Sequence, residues 1–422
     1  MIEFAGLGAG QSMFAALLNK VFRRGALTVI WPDGSSATYG AGLPRAAVRV
    51  HGRWTPLAIA MRPDLGFGEA YMNGRVTVEE GTIADVMELA LSNVPPGSEL
   101  WLGRARARLR KWARSIAQFN PIRRARRNVA HHYNLSSALF DLFLDADRQY
   151  SCAYFAHPTM TLEAAQAAKK RHIAAKLKLD RPGLKVLDIG SGWGGLGLEL
   201  ARDAKADVLG VTLSTEQLAT SNTRAQSSGL AERCRFELKD YRSITGTFDR
   251  IVSVGMFEHV GVNHYDTFFA RLRNLLEPDG VALLHTIGRP DGPGATDPWT
   301  TKYIFPGGYT PAMSEVLTAI ERSRLFVTDV EILRLHYAET LKEWRSRFLK
   351  NRAKAAALYD ERFCRMWELY LASAEMSFRY ARNVVFQFQL SKRFDMLPLT
   401  RDYMLESERT ADTGASVVLV ED

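Results

Sequence analysis

The chain has 422 residues, of which 46% are hydrophobic and 24% are charged, so it has the composition of a globular protein and is long enough for two domains. Its formal net charge of +9 favours an anionic partner, either nucleic acid or phospholipid headgroups. The three cysteines include no CxxC pair, which argues against a disulfide framework and a zinc site. No stretch approaches about 18 uninterrupted apolar residues, which argues against a membrane-spanning helix.

The first hundred residues predict a small α+β domain. Apolar residues at helical spacing over residues 13–22 indicate a helix that packs on this domain, an interpretation we favour over contact with a membrane. Short apolar runs over residues 26–50 predict a small antiparallel sheet, and the motif GFGEAYMNG and a helix at residues 83–91 follow. No basic region precedes an apolar core at the amino terminus, so we expect no signal peptide and a cytoplasmic protein. We assign residues 1–103 to this domain and interpret it as lipid- or membrane-associated.

A basic segment comes next. The stretch from Arg104 to Arg127 carries ten arginines and lysines and no acidic residue. Apolar side chains recur within it at steps of three and four, at Leu109, Trp112, Ile116 and Phe119. Such a run is often only a solvated surface. The functional interpretation is a basic amphipathic linker, residues 104–128, on an anionic bilayer, where each cation contributes roughly 1 kcal/mol. Binding to RNA ranks third, because no RNA-binding motif or zinc finger accompanies the charge.

From residue 129 onward, predicted strands and helices alternate. The predicted helices cover residues 162–177, 196–204, 217–227 and 266–276, and the predicted strands cover residues 186–189, 208–211, 234–238, 251–254 and 281–286. This alternation predicts a doubly wound α/β sheet whose ligand lies beyond the carboxyl ends of the strands. Two adjacent histidines, His131 and His132, precede these elements, and capping or packing explains them better than metal binding.

The turn after the first of these strands marks a nucleotide pocket. In KVLDIGSGWGG an apolar run carries Asp188 and then enters a glycine turn, where the backbone can bend tightly and a ligand can approach. A dinucleotide site would place an acidic residue about 20 positions further on, at the tip of the second strand. This chain has Thr212 there, followed by Leu213 and Ser214, so the pattern favours another nucleotide. Two candidate chemical residues lie at the ends of later strands: Glu258 follows the fourth strand, and His285 closes the fifth.

Several motifs together resemble the cyclopropane-fatty-acyl-phospholipid synthase family, which is related to the mycolic acid cyclopropane synthases. They are YSCAYF, DIGSGWGG, GVTLSTEQ, DRIVSVGMFEHVG, NHYDTFF, LLHTIG, DPWTTKYIFPGG and HYAETLKEW. The resemblance implies a class I methyltransferase fold for residues 129–396, with a helical carboxyl-terminal extension at residues 363–393. It leaves residues 397–422 as a polar tail that we expect to be mobile.

The resemblance also implies the chemistry. In this family a methylene group passes from S-adenosylmethionine to the cis double bond of an acyl chain on a membrane phospholipid, and a bicarbonate ion is the base that allows ring closure. The residues that match the bicarbonate cage are Cys152, Glu258, His285, Ile287 and Tyr337. Seen alone, each is explained more simply as a buried hydrophobe, a hydrogen-bonded side chain or a packing residue. Their joint occurrence at the family's spacings reverses that preference.

The resemblance carries over a donor pocket as well. Its residues are Tyr150, Ser151, Asp188, Gly190, Ser191, Gly192, Trp193, Gly194, Thr212, Leu213, Ser214, Gln217, Tyr241 and Arg242. The first two would close over the methionine end, Thr212, Leu213 and Gln217 would hold the ribose, and Tyr241 and Arg242 would flank the adenine. Three aromatic residues either line an acyl channel or pack in the core: Tyr265, Phe268 and Phe269.

Two departures from the family's pattern concern donor binding. Many relatives have Asp where this chain has Asn134, and Cys where it has Ser191. The reaction class is unaffected, and we expect a homodimer that acts at the inner face of an anionic bilayer and takes neither nucleic acid nor metal. The first alternative is a fatty-acyl methyltransferase that stops at a methylene or methyl branch. A remote alternative is a basic S-adenosylmethionine-binding RNA methyltransferase or binding module.

Overall fold

The structure, a computed structural model, describes residues 8–93 and 136–413. The chain divides into two compact units. The first consists of Met1–Trp112, Ala295–Pro306 and Leu341–Asn383, and the second of Ala113–Gly294, Gly307–Thr340 and Val384–Asp422. The units are therefore discontinuous in sequence, whereas the predicted domains were drawn as continuous ranges. The predicted linker at residues 104–128, the histidine pair and Asn134 lie outside the described residues.

The first unit contains a four-stranded sheet and its helices. The strands are β1 (Gly25–Ile30), β2 (Ser36–Ala41), β3 (Arg45–Val50) and β4 (Val76–Glu80), in the order β2-β1-β3-β4. The helices are Ala9–Val21, Thr55–Met61, Pro63–Met72, Ile83–Ser92, Pro298–Tyr303, Arg352–Leu358 and Glu361–Tyr380. The prediction of an antiparallel sheet was wrong in one pairing, because β1 and β3 are parallel. Two successive reversals leave β1 and β3 in the same direction, and β3 adds to the free edge of β1.

The motif GFGEAYMNG packs against the segment Ala295–Pro306 inside the first unit. A Cβ atom at Gly68 would lie 2.4 Å from the ring of Trp299, so this position has room only for glycine. The indole of Trp299 donates to the sulfur of Met72 at 3.2 Å, and Lys302 pairs with Glu69 at 2.6 Å. These contacts explain why a segment far along the chain belongs to the amino-terminal unit.

The second unit is built on a seven-stranded sheet. Its strands are β5 (Lys185–Ile189), β6 (Asp207–Thr212), β7 (Cys234–Leu238), β8 (Phe248–Val254), β9 (Leu276–Gly288), β10 (Phe326–Leu333) and β11 (Val384–Ser391), in the order β10-β11-β9-β8-β5-β6-β7. Strands β5 to β9 pair in parallel, and β11 is antiparallel to both of its neighbours. The predicted doubly wound α/β fold is confirmed.

Helices cover both faces of this sheet. They are Ser137–Phe140, Leu162–Lys176, Gly195–Asp203, Thr215–Ser227, Tyr265–Leu275, Met313–Ser323 and Asp402–Thr413, with short 3-10 turns at Tyr241–Ser243, Phe257–His259 and Val262–His264. The helix His336–Lys350 begins in the second unit. One core layer packs Phe268, Leu284 and Phe386 together, and the layer on the other face contains Ile173 and Leu283. Among the described residues, no helix is both long and apolar enough to cross a membrane.

Two expectations need correction. Residues 384–391, which we expected to be helical, form β11, because phenylalanine and glutamine alternate with the period of a strand and both faces are buried. Residues 402–413, expected to be part of a mobile tail, form a helix in which Met404 is buried. Of the two interpretations given for Tyr265, Phe268 and Phe269, the structure agrees with core packing, because all three are buried and pack around Phe257.

Candidate active site

A pocket opens at the carboxyl ends of β5, β6 and β8. Most of the residues predicted to hold the donor line it: Tyr150, Ser151, Asp188, Gly190, Ser191, Gly192, Trp193, Thr212, Leu213, Gln217, Tyr241 and Arg242. Two predicted residues, Gly194 and Ser214, are not part of the wall. Gly194 has φ +85° at the start of the helix Gly195–Asp203, and Ser214 Oγ caps the helix Thr215–Ser227 by accepting from the Gln217 N–H. Both therefore shape the elements that carry the pocket.

The backbone of the glycine turn is hydrogen-bonded to β6. The N–H groups of Gly190 and Ser191 both donate to the carbonyl of Val211, at 2.9 and 3.0 Å. Gly190 has φ +85°, and a Cβ there would lie 2.9 Å from the Met256 side chain. A side chain at this position would be strained and would also narrow the pocket.

Two buried oxygen atoms in the pocket have no hydrogen-bond partner among the described residues. They are Oδ2 of Asp188 and Oγ of Ser191. Burial raises the pKa of Asp188 to about 7, while the charge of Lys169 lowers it. A buried carboxylate oxygen without a partner is costly unless a ligand supplies one. The pocket thus presents an acceptor for a cationic or hydrogen-bonding guest.

Hydroxyl and amide groups lie at the carboxyl end of β6. Thr212 Oγ1 donates to Gln217 Oε1 at 2.8 Å and accepts from the Ser214 N–H at 3.1 Å. Both side chains reach the pocket wall, so they present polar groups where a dinucleotide site would have an acid.

The third side of the pocket carries a tight ion pair. The guanidinium of Arg242 donates to both oxygens of Asp240, through Nε at 2.8 Å and Nη2 at 2.7 Å. Arg242 was predicted from the sequence and Asp240 was not, although Asp240 is buried and also lines the pocket. The alternating charges of residues 239–243, KDYRS, were the available signal.

The segment Gln149–Phe155 carries Ser151 and Cys152 and is anchored at almost every residue. Nε2 of Gln166 donates to the carbonyls of Gln149 and Ser151, at 3.1 and 3.0 Å. Nζ of Lys169 donates to Oγ of Ser151 at 2.9 Å and to Oε1 of Gln149. Both anchors come from the helix Leu162–Lys176. The first three residues of this segment, Gln149, Tyr150 and Ser151, line the pocket and are therefore held in place by these bonds.

Lys169 was assigned no role from the sequence, although it lies in the predicted helix at residues 162–177. In the structure Lys169 and Lys176 are almost fully buried. Burial lowers the pKa of Lys169 to about 8, and the neighbouring Asp145 and Asp147 carboxylates oppose that shift. A lysine at this depth has to be paired, so it marks a polar centre inside the unit and not a solvated surface.

Glu258 lies just outside the pocket wall, between wall residues Met256 and His259. Its side chain is buried, Oε1 accepts from the Ile287 N–H at 2.6 Å, and Oε2 has no partner in the described part of the chain. Burial raises the pKa of Glu258 to about 7, while hydrogen bonds from the backbone and from Thr286 lower it. The carboxyl group is thus held at one oxygen and has the other available.

His285 and Ile287 point to the same face of β9, since they are two residues apart in a strand. Gln387, which stands opposite His285 in β11, places its Nε2 at 3.0 Å from His285 Nδ1. Burial together with the charges of Lys169 and Lys176 lowers the pKa of His285 well below 6.5, so the ring is neutral.

Cys152 and Tyr337 complete the predicted cage from two other elements. Cys152 is buried, and burial raises the pKa of its thiol, so the residue is a thiol and not a thiolate. The next residue, Ala153, donates its N–H to Oγ1 of Thr340 at 3.0 Å. Thr340 lies one turn after Tyr337 in the helix His336–Lys350.

The five predicted cage residues all belong to the second unit. Glu258 and Ile287 are bonded directly, His285 shares the strand, and Lys169 is the electrostatic neighbour of both Cys152 and His285. None of the five is part of the donor-pocket wall itself, although Ser151 and His259, next to Cys152 and Glu258, are. Among the residues that the structure covers, no group of three or more His, Cys, Asp or Glu is placed to hold a metal ion.

Comparisons with known proteins identify the family. The family model described as mycolic acid cyclopropane synthetase matches residues 121–388, and one described as a domain of unknown function matches residues 13–95. The chain is 37% identical over 399 residues to tuberculostearic acid methyltransferase UfaA1 of Mycobacterium tuberculosis, which covers 89% of this chain and 91% of that protein. It is 39% identical over 325 residues to the cyclopropane-fatty-acyl-phospholipid synthase of Escherichia coli K12, covering 76% of this chain and 81% of that one.

A solved structure agrees with the sequence relatives. Mycolic acid cyclopropane synthase CmaA1, complexed with SAH and CTAB, aligns with a TM-score of 0.60 at 34% identity, over 65% of this chain and 99% of that chain. The predicted class I methyltransferase sheet is confirmed by this likeness. The chain therefore belongs to the mycolic acid cyclopropane synthetase family of S-adenosylmethionine-dependent methyltransferases.

Proposed function

We propose that the protein transfers a methylene group from S-adenosylmethionine to the cis double bond of unsaturated phospholipid acyl chains, forming a cyclopropane ring, with bicarbonate as the base. The observation that carries this proposal is the state of Glu258, which is buried, bonded at one oxygen to the Ile287 N–H and without a described partner at the other. The similarity to a cyclopropane-fatty-acyl-phospholipid synthase supports the choice of substrate.

The pocket residues fit the donor chemically. S-adenosylmethionine, when bound, supplies an activated methyl group on a positively charged sulfur. Asp188 offers a buried carboxylate oxygen to that cation, and Thr212 and Gln217 offer polar groups to a ribose. At Gly190 the glycine turn leaves room for the donor to approach the protein backbone.

The cage residues fit a small oxyanion. Bicarbonate, when bound, supplies the base that accepts a proton during ring closure. Glu258, with its pKa raised to about 7, can share a proton with such an anion, which removes the repulsion between two negative charges. The neutral ring of His285 and the hydroxyl of Tyr337 are donors for its oxygens. Cys152 and the buried surroundings keep water away from the reacting carbon.

A fatty-acyl methyltransferase that gives a methylene- or methyl-branched chain is the second candidate. The similarity to tuberculostearic acid methyltransferase UfaA1, over 89% of this chain, favours it. Both reactions begin with the same methyl transfer and differ in how the resulting cation loses its charge. The residues around Glu258 therefore decide the product.

Mass spectrometry of lipids from cells that express the protein tests the proposal. We expect acyl chains that gain about 14 mass units, lose alkene reactivity and show the fragmentation of a ring. A mass gain with a methyl branch would establish the alternative. Binding to RNA with steep salt dependence, and no methyl incorporation into lipid vesicles, would establish the remote nucleic-acid alternative.

We also propose that the enzyme works as a homodimer on the inner face of an anionic membrane. The net charge of +9 supports attraction to such a surface. Light scattering on the purified protein would report the dimer.

A further inference from the structure

A buried glutamine in β11 faces the histidine of the proposed cage. Gln387 and His285 are directly opposite each other in the antiparallel pair of β11 and β9, and both are buried. The distance between Gln387 Nε2 and His285 Nδ1 is 3.0 Å. Sequence analysis assigned no role to Gln387, because it expected a helix there.

The orientation of the Gln387 amide is set by a lysine on its other side. Nζ of Lys176 lies 2.6 Å from Gln387 Oε1, and the same lysine pairs with Glu331. An ammonium group has only donors, so the amide oxygen must face Lys176. The NH2 group must then face His285, and an amide NH2 cannot accept a hydrogen bond. Nδ1 of His285 is consequently the acceptor and carries no proton.

The remaining proton of the ring is therefore on Nε2. The ring is neutral, since burial and the neighbouring Lys169 and Lys176 lower its pKa. In the described part of the chain, Nε2 has no hydrogen-bond partner, so its N–H is available to a guest. A neutral imidazole whose proton was on Nδ1 would instead present a lone pair to that guest, and it would repel an anion.

We propose that Gln387, oriented by Lys176, is a positioning residue that holds His285 as the Nε2–H tautomer, so that this N–H donates to the anion of the cage. The donation from His285 to the anion rests on the proposed function. The assignment of the tautomer itself stands on the hydrogen bonds of Lys176, Gln387 and His285. Removing the hydrogen-bond partner of a metal-ligating histidine typically changes affinity or activity by roughly 10- to 100-fold, and we expect a change in the same range here.

Nitrogen NMR on the full-length protein with labelled histidine tests the tautomer directly. The resonance of His285 is identified as the one that is missing in His285→Gln. In the parent protein we expect Nε2 to be protonated and Nδ1 to be unprotonated. In Gln387→Glu the carboxylate accepts from the ring, so we expect the proton on Nδ1. We also expect the turnover number to fall by roughly 10-fold or more with donor affinity unchanged.

Gln389→Met is the matched control. Gln389 lies two residues further along β11 on the same face, and its Nε2 donates to Tyr403 and to the Lys176 carbonyl, not to His285. We expect this variant to keep the parent's His285 spectrum and turnover. A change in that spectrum as large as that in Gln387→Glu would overturn the specific role of Gln387.

Two further results would overturn the proposal. One is a parent spectrum with the His285 proton on Nδ1, a result that does not depend on whether Gln387→Glu folds. The other is a Gln387→Glu protein with altered tautomer and full turnover. Failure of the proposed function appears elsewhere, as the absence of lipid methylation by the parent protein, while the NMR result still decides the tautomer.

Discussion

Glu258 shows how a single side chain can be prepared for a ligand by its surroundings. The residue is 9% exposed, and its carboxyl group is bonded to the Ile287 N–H at one oxygen and has no described partner at the other. A buried acceptor of this kind lowers stability unless something fills it. Natural proteins keep such groups mainly where function needs them.

Replacing Glu258 with glutamine tests this role. Glu258→Gln keeps the shape and the contact to Ile287, but it removes the group that shares a proton with the anion. We expect the turnover number to fall by about 100-fold or more, while the affinity for S-adenosylmethionine, measured by calorimetry, stays at the parent's value. Glu237→Gln, at an exposed position in β7, is the control and should behave as the parent does. Unchanged turnover in Glu258→Gln would remove Glu258 from the mechanism.

Two buried lysines are a second example of side chains whose role depends on their surroundings. Lys169 and Lys176 reach the two halves of the site, the first through Ser151 and Gln149 and the second through Gln387. Their burial could not be read from a helix whose lysines and alanines follow no clear period.

Among the elements, the carboxyl-terminal helix Asp402–Thr413 departs most from expectation. It packs against the helix Leu162–Lys176, where Nδ1 of His172 lies 2.6 Å from Glu408 Oε1 and Nε2 lies 2.7 Å from Glu331 Oε2. Burial alone would lower the pKa of His172, but the hydrogen bonds to these two carboxylates outweigh it, and the pKa is raised. The ring is held as an imidazolium between two acids.

The contact between His172 and Glu408 makes the attachment of the helix Asp402–Thr413 dependent on pH. A raised pKa in the folded state contributes stability below the unfolded value of about 6.5, and that stability is lost as pH rises through the folded pKa. We expect Glu408→Gln to lower the free energy of unfolding by about 1 kcal/mol at pH 6 and by much less at pH 9, as measured by urea denaturation.

The exposed residue Glu406 provides the control for that experiment. Glu406→Gln lies in the same helix and should leave stability unchanged at both pH values. An equal loss at pH 6 and pH 9 in Glu408→Gln would show that His172 is not the charged partner.

At the scale of the whole molecule, the excess of positive charge links the chain to its proposed substrate. The net charge is +9, and the densest basic segment, from Arg104 to Arg127, lies outside the described residues. A phospholipid substrate sits in a bilayer, so the enzyme has to reach that surface. The role of this segment on the membrane remains a prediction from the sequence.

Removing part of this charge tests the prediction. A triple variant with Arg104, Arg108 and Arg110 changed to glutamine should bind anionic vesicles more weakly by roughly 3 kcal/mol, since each cation near the surface contributes about 1 kcal/mol. Vesicle sedimentation at low and high salt measures the effect. The matched control changes three exposed arginines of the second unit, Arg181, Arg202 and Arg322, and therefore loses the same charge. Equal binding by the two triple variants would leave the basic segment without a specific role on membranes.

The parts of the fold that local sequence patterns encode could be predicted from the sequence. Strands β5 to β9 and the helices between them follow from apolar periodicity, and the glycine turn after β5 marked the pocket at the ends of these strands. Strand β11 was missed because residues 384–391 were judged with the helical segment before them. The alternation of Phe386, Gln387 and Phe388 was nevertheless available as a strand signal.

The sequence by itself determined the class of sheet, the position of the nucleotide pocket and the family, because each of these is encoded in short motifs whose residues are neighbours along the chain. Only the tertiary structure decided which polar groups share the interior. Lys176 and Gln387 are 211 residues apart, and Glu258 and Ile287 are 29 apart, yet both pairs are in hydrogen-bond contact. Such partners are chosen by the pairing of strands and the packing of one helix on the sheet, which no local pattern records.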